Sequence, residues 1–493
     1  MMRRLGHATG VTVSLGWNGR RIEARAGDSV GAALYGAGIR RLVSSRKFHR
    51  SIGLSGAYPA GSLIRIDGAP HQRADRIVVR DGMDVREQNV WPSSGFDLLR
   101  SMRLLPRKPF EAGFEHPSWL PSGTRLFDRW ESLLRYLAGL ADPPDPTRAG
   151  APIPGEVVAF EVAVVGGGPA GRAAAIDAAR AGKSVLLVSR GRVPGASARA
   201  TGAGLPDLPA SVRVVASAEA FGLYRRGTLL GIAPFDGSAA MLVEANEVVL
   251  ATGRRSCPPL VPGIDLPGVL DLKTALAFAH DHAVASGHSV LLVGTGNLAP
   301  IAARFATLGV RIVEQAPASS LERVLGWNEV TGATVAGHRI ACDAVVHAGP
   351  WRSDPSLSFQ AAADGGFRML PGMPSARLRI VGSAADASEP ILCPRHGGSA
   401  FVCPCMDVTQ AEIEACIAKT QHVEELKRLT SCGMGPCQGF PCWDNLAAML
   451  ERATGAAAAS FGHPTFRPPR GALTLAQAAG LADLVAPEPA ECT

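Results

Sequence analysis

The chain has 493 residues, 46% of them hydrophobic and 19% charged, enough apolar surface for about three domains and too much for a disordered chain. Aromatic residues make up 5%, too few for stacked recognition of single-stranded nucleic acid, and the net charge of +7 is scattered rather than gathered in a patch, so no nucleic-acid partner is expected. Gly (56) and Pro (37) recur without a fixed period, which excludes collagen and suits a fold full of tight turns.

The N-terminal block opens with strand-like residues 11–15 and 20–25. A helical segment follows at 29–38, with Val30, Ala33, Leu34 and Ala37 on one face, then a strand at 62–66 closed by Asp67-Gly68. This pattern predicts a small α+β domain over residues 1–141. Residues 142–155 carry five prolines in fourteen positions and read as a linker.

A near-continuous apolar strand, 157–165, runs into Gly166-Gly167-Gly168-Pro169-Ala170-Gly171, a helix at about 172–181 and a second strand at 184–188. In that context the first glycine makes a tight turn, the second lets backbone approach a pyrophosphate and the third lets the helix pack on the sheet. A further strand ends in Ala251-Thr252-Gly253. The pattern then repeats: a strand at 290–293, Gly294-Thr295-Gly296-Asn297-Leu298-Ala299, a helix to Leu308, and a strand at 311–313 closed by Glu314. Two nested units predict an α/β, disulfide-reductase-like double Rossmann core over residues 156–400, with an NAD-type half inserted at about 270–345. The last block, 401–460, is small and helical. Thr409 and Glu412 form a capping box for a helix to about Lys419, further helices are expected at 422–429 and 443–453, and residues 461–493 form a C-terminal tail.

Seven of the ten cysteines fall between residues 393 and 442. No apolar leader follows Met1-Met2-Arg3-Arg4 and no run approaches the ~20 apolar residues of a membrane helix, so a reducing cytoplasm is expected. There, crowded thiols hold metal or do redox chemistry rather than form disulfides. Cys403 and Cys405 make a Cys-x-Cys pair, and the glycine-rich loop 432–442 supplies Cys432, Cys437 and Cys442. Four of these five would hold an iron–sulfur cluster, because N–H groups freed by glycine can point at the sulfurs. A structural zinc site is the alternative, although zinc knuckles favour Cys-x2–4-Cys pairs.

The last block resembles the bacterioferritin-associated-ferredoxin-like 2Fe-2S domain, which in flavoprotein fusions carries GMGPCQGxxC where this chain has GMGPCQGFPC at 433–442. That resemblance implies Cys403, Cys405, Cys437 and Cys442 as ligands and Cys432 as a buried spare. Ser45-Arg46-Lys47-Phe48-His49-Arg50, Gln88-Asn89-Val90-Trp91-Pro92 and residues 117–120 look like the α subunit of heterotetrameric sarcosine oxidase. Residues 249–253 and 262–269 are similar to α subunits of dye-linked proline, hydroxyproline and opine dehydrogenases and of hydrogen cyanide synthase. The family implies an amino-acid-oxidase-like β subunit that holds FAD and oxidises a C–N bond, with further small subunits as an option. It also implies an FMN at the α/β interface and an α subunit that relays electrons to a quinone or carrier, in the cytoplasm or peripheral to the inner membrane through the complex. In the family the N-terminal domain also exists as a separate subunit with Cys-x4-Cys-x2-Cys; those positions are here Leu54, Pro59 and Ser62, so the domain reads as a structural and docking module without thiolates.

Two departures bear on the nucleotide. Ser189-Arg190 stands where an acidic residue usually receives the ribose hydroxyls; Ser189 can bond a hydroxyl, and Arg190 with Arg192 suits a phosphate. The Gly-Asp motif that contacts FAD ribitol reads Gly382-Ser383-Ala384-Ala385-Asp386, and the helix that normally follows is replaced by a short run to Cys403. FAD, ATP, another adenine nucleotide and no nucleotide therefore all stand open at the first site. At the second, Glu314 is expected in the ribose position, and the glycine turn is either an NAD site or a packing relic. Lys47 and His49 are candidates for the FMN phosphate, against a solvated basic turn. Cys393-Pro394-Arg395-His396 either lines the cluster or forms a plain loop.

The leading expectation is an electron-relaying α subunit of a flavin- and iron–sulfur-dependent amine or amino acid dehydrogenase. The alternatives are an NAD(P)H-dependent FAD reductase and a scaffold subunit that binds a nucleotide without redox work.

Overall fold

The computed structural model describes residues 4–6, 10–56, 58–104, 123–137, 151–224, 227–362, 377–386, 388–392, 398–471, 473–482 and 484. Residues 117–120, the Cys393–His396 segment, Cys492 and positions 142–150 of the expected linker lie outside the described residues. Two compact units are present: Met1–Pro144, Ser256–Trp351 and Glu389–Pro464 form the first, and Asp145–Arg255, Arg352–Ser388 and Thr465–Thr493 form the second. The half expected at about 270–345 thus belongs to a different unit from the half that holds Gly166–Gly171, although in sequence residues 156–400 read as one domain.

Three parts make up the first unit. Its N-terminal part is a five-stranded mixed sheet ordered Arg20–Arg25, Thr12–Trp17, Met83–Arg86, Leu63–Ile66, Ala69–Arg73, with the Thr12–Trp17 and Met83–Arg86 pair parallel. The helix Val30–Gly36 starts where Ser29 accepts the Ala32 N–H and then buries Val30, Ala33 and Leu34. Leu54 is buried, and its methyl lies where a Cβ on helix residue Gly31 would come within 2.7 Å. The Ser62 hydroxyl donates to the Pro59 carbonyl at 2.8 Å. Side-chain packing and a local turn thus occupy the positions of the family's thiolates.

The second part is a parallel four-stranded sheet ordered Val269–Asp271, Ala344–Ala348, Val290–Gly294, Ile312–Pro317, flanked by the helices Leu272–Asp281 and Ala299–Thr307. Its strands are apolar runs such as Val290, Leu291, Leu292 and Val293, all fully buried, as expected of a sheet covered on both faces. The third part holds the hairpin Phe401–Cys403/Val408–Thr409 and the helices Gln410–Ile417, Val423–Thr430 and Cys442–Thr454, close to the predicted bounds, with the Thr409–Glu412 capping box formed.

A seven-stranded sheet centres the second unit. Val212–Val215, Val185–Val188, Glu156–Val165 and Met241–Leu250 run parallel, then Leu229–Pro234 and Ala218–Tyr224 continue antiparallel, and Leu378–Ile380 pairs with the end of Met241–Leu250. The helix Pro169–Arg180 presses Ala174 and Ala175 onto Val162, Val164, Val185 and Leu187. Each such fully buried Val or Leu contributes about 1.5–3 kcal/mol by leaving water. Residues read from sequence as part of a tail form the helix Leu475–Ala482, whose Leu481 packs under this sheet while the Gly480 carbonyl accepts the Gly155 N–H.

Candidate cluster and nucleotide sites

Cys403 ends the first hairpin strand and Cys405 follows one turn later, while Cys437 lies in the glycine loop and Cys442 opens the helix Cys442–Thr454. All four are buried, as is Cys432. The Cys403 and Cys437 sulfurs lie 3.8 Å apart, those of Cys437 and Cys442 3.6 Å apart, and one ligand atom from each of the three falls within 4.8 Å of the others. Cys405 contacts Cys403 and Cys437, whereas Cys432 is in hydrogen-bonding contact with Cys403. Contact with Cys405, and with Cys432, Cys437 and Cys442, holds the Cys403 thiol well below its usual range, and contact with Cys403 pushes Cys405, Cys432 and Cys442 above theirs.

Sulfurs packed this closely cannot all carry charge without a cation among them, so the donor set fits a thiolate-ligated metal centre. The Gly433 N–H points at the Cys403 sulfur at 3.4 Å, as the glycine-rich loop predicted. Gly433 and Gly439 both adopt positive φ (76° and 85°), and the Trp443 ring lies against both; a Cβ on Gly439 would fall 1.5 Å from the indole nitrogen. The loop needs glycine because a tryptophan covers it.

In the second unit the glycine turn is built as its sequence predicts. Gly166 has φ +115°, and a Cβ on Gly171 would lie 1.8 Å from the Gly166 carbonyl oxygen. A Cβ on Gly168 would touch nothing within 4 Å, so this residue lines open space at the N-terminus of the helix Pro169–Arg180, where backbone N–H groups favour an anion. Ala170 approaches Gly382 of the Gly-Ser-Ala-Ala-Asp stretch, and Thr252-Gly253 follows the strand Met241–Leu250. Ser189 is buried, while Arg190 is held by Glu219 at 2.5 Å and Asp386 pairs with Arg254 at 3.7 Å.

Arg172 also shapes this turn. Buried at the start of the helix Pro169–Arg180, it donates to the Pro206 carbonyl and, at 3.4 Å, to the Pro194 carbonyl, tying down the loop that borders Gly167. An arginine in an alanine-rich helix carries no sequence signal for such a role.

Two expectations need correction. Glu314 does not close its strand: the strand Ile312–Pro317 runs on, Glu314 pairs in register with Leu291, and Gly294 of the turn is level with Pro317. The position equivalent to Ser189 is thus Pro317, and Glu314 projects to solvent from mid-strand. Thr295 of the second turn bonds Glu389 at 2.8 Å, which sets a carboxylate beside Gly294 and Gly296 where a pyrophosphate would need positive charge. His49 is not on a solvated turn. Its ring is buried, Nδ1 lies 3.2 Å from Asp97, and its carbonyl accepts from Arg103, while Lys47 is half-buried beside it.

Comparison with known proteins follows the same parts. Residues 10–90 match the model of a 2Fe-2S iron-sulfur cluster binding domain, 161–217 that of FAD dependent oxidoreductases, and 397–481 that of the sarcosine oxidase A3 domain. Over 93% of its length the chain is 26% identical to the alpha chain of sarcosine oxidase from Rhizobium meliloti (strain 1021). The chain is a homologue of the sarcosine oxidase α subunit. It spans 56% of that relative's length. An opine oxidase component from Agrobacterium tumefaciens (strain Ach5) is 33% identical over 28% of the chain and 33% of the relative. The crystal structure of L-proline dehydrogenase from P. horikoshii superposes with a TM-score of 0.74 over 96% of this chain and 98% of that one, at 21% identity, which establishes the shared α/β fold. Residues 10–90 of this homologue contain no cysteine, so the first match carries a fold without thiolate ligands. Among the described residues no helix is long and apolar enough to cross a membrane.

Proposed function

We propose that this chain is the electron-relaying α subunit of a hetero-oligomeric dehydrogenase or oxidase acting on amino acids, opines or secondary amines. The observation that carries the reading is the buried group of Cys403, Cys437 and Cys442, with Cys405 in contact, in a module matching the sarcosine oxidase A3 domain. When bound, a flavin supplies two-electron acceptance and a 2Fe-2S cluster one-electron transfer, which lets a hydride taken from a C–N bond leave as single electrons.

Within the chain, Cys403, Cys405, Cys437 and Cys442 would hold the cluster, the Gly433 N–H would bond a ligand sulfur, and burial would exclude water from it. Gly166, Gly168, Pro169, Ala170 and Gly171 would cradle a nucleotide phosphate, with Ser189 and Thr252-Gly253 bordering the cradle. Arg254 already holds Asp386, the carboxylate expected to contact FAD ribitol, which favours an adenine nucleotide such as ATP over an extended FAD. The partner would be an FAD-containing β subunit, with an interfacial FMN reached through half-buried Lys47 rather than the enclosed His49 ring, and the complex would work in the cytoplasm.

Co-purification with the partner, followed by iron, sulfide and nucleotide analysis, tests the reading. We expect iron and acid-labile sulfide at two each per chain, lost in Cys437→Ser together with electron transfer from the amine to an acceptor dye. Zinc in place of iron, or undiminished transfer in Cys437→Ser, would overturn it.

A further inference from the structure

Arg50, in the cysteine-free sheet domain, reaches into the module that holds the thiols. Its Nε donates to Asp407 at 2.7 Å, Nη1 bonds Asp265, and Nη2 donates to the carbonyl of Pro404 at 3.3 Å. Pro404 is the residue between Cys403 and Cys405. The guanidinium carbon also lies 3.3 Å from the centre of the Phe401 ring, so a planar cation is stacked and forked at once. Asp407 is buried, adopts φ +55°, and accepts the Lys47 N–H at 2.8 Å and the Phe48 N–H at 3.3 Å, which locks the 47–50 turn onto the Cys-x-Cys segment. Side-chain exposure is 13% for Arg50, 3% for Asp265 and 0% for Asp407, so solvent screens these charges little.

We infer that Arg50 is a positioning and potential-setting residue for the group bound by Cys403 and Cys405, and that this is the electrostatic contribution of a ferredoxin-like domain with no thiolates of its own. The inference rests on the cluster reading above. One-electron reduction of the bound group would add a negative charge without a proton, so its equilibrium would register nearby fixed charge. Arg50 sets one positive charge against the two carboxylates, and removing it leaves both uncompensated beside the Cys403–Cys405 segment.

The test is a dithionite titration of the purified complex monitored by the electron paramagnetic resonance signal of the reduced cluster, with iron and sulfide content measured on each sample. Arg50→Gln should make reduction at least tenfold less favourable, 59 mV more negative for a one-electron couple. Asp265→Asn, which removes a carboxylate and leaves Arg50 on Asp407 and Pro404, should shift it the opposite way by at least threefold. Arg50→Lys, which keeps the charge, should stay within threefold of the wild type. A merely structural contact would not give shifts of opposite sign.

Equal potentials in Arg50→Gln and Asp265→Asn, or shifts of the same sign, overturn the inference while leaving the cluster reading intact. Where Arg50→Gln fails to load the cluster, Asp265→Asn and Arg50→Lys decide by the same criteria, and loss of the cluster in all three overturns the inference because the contact is then only structural. A wild-type complex without iron and sulfide overturns the cluster reading itself.

Discussion

Gly171→Ala and Gly168→Ala separate the two roles that glycines play in the nucleotide turn. In an exposed helix interior, Gly to Ala stabilises by about 1 kcal/mol. Gly171 lies within the helix Pro169–Arg180, but there a Cβ would fall 1.8 Å from the Gly166 carbonyl oxygen and 3.1 Å from the Ala251 Cβ. The nearer obstacle is backbone of the turn itself and the other is the Ala251 methyl, so the helix must move by more than an ångström from the sheet. Overpacking costs about 1–3 kcal/mol, and with so short a backbone contact at the upper end of that range, the helix-propensity gain of about 1 kcal/mol leaves a net loss of about 2 kcal/mol.

Gly168 differs: its φ of −70° suits any residue and a Cβ there meets no atom within 4 Å. Gly168→Ala should hold stability within about 0.5 kcal/mol yet weaken nucleotide binding at least tenfold, because the methyl occupies the space a phosphate would use. Calorimetric melting combined with hydrogen exchange at Glu156–Val165 and Val185–Val188 reads the first effect locally. Tryptophan fluorescence does not, since the tryptophans among the described residues lie in the other unit. Gly171→Ala as stable as the wild type, or Gly168→Ala binding nucleotide undiminished, would refute the steric reasoning.

Two further predictions concern buried charge. Burial alone would raise the Asp354 carboxyl, but Arg470 at 3.3 Å and Arg255 at 3.2 Å hold it well below the usual range. Asp354→Asn should therefore cost about 3–5 kcal/mol in urea unfolding, by removing the carboxylate that two enclosed guanidiniums share. A depressed carboxyl contributes stability that is present above its unfolded value near pH 4 and is lost as pH falls toward the folded one, so the variant should also flatten the acid limb of the stability curve. Burial pushes His347 down to about 4, while its Nδ1 lies 2.7 Å from the Ser256 hydroxyl. Because the unfolded chain takes up the proton first, stability should be full above pH ~6.5 and decline by up to about 3 kcal/mol as pH falls to 4. His347→Asn should remove that slope, and an unchanged slope would show that other groups set it.

Sequence alone determined the parts that are local. Alternating and continuous apolar runs located the strands Arg20–Arg25, Glu156–Val165 and Val290–Gly294 within a residue, Thr409 and Glu412 fixed a helix start, and the Gly166–Gly171 spacing specified a turn whose geometry follows from missing Cβ atoms. Cysteine spacing also named the thiols that converge, because the glycine loop and the Cys-x-Cys hairpin are each short-range devices. Tertiary structure decided what depends on neighbours distant in the chain. Which half each Rossmann-like unit joins, the enclosure of His49, the mid-strand placement of Glu314 and the carboxylate beside Gly294 all follow from long-range packing and register. Arg50 is the clearest case. In sequence it is one cation in a basic turn, and only folding brings Asp265 and Asp407, 215 and 357 residues away, against it. A desolvated charge must find a counter-charge, but nothing in its own neighbourhood of the chain says which one.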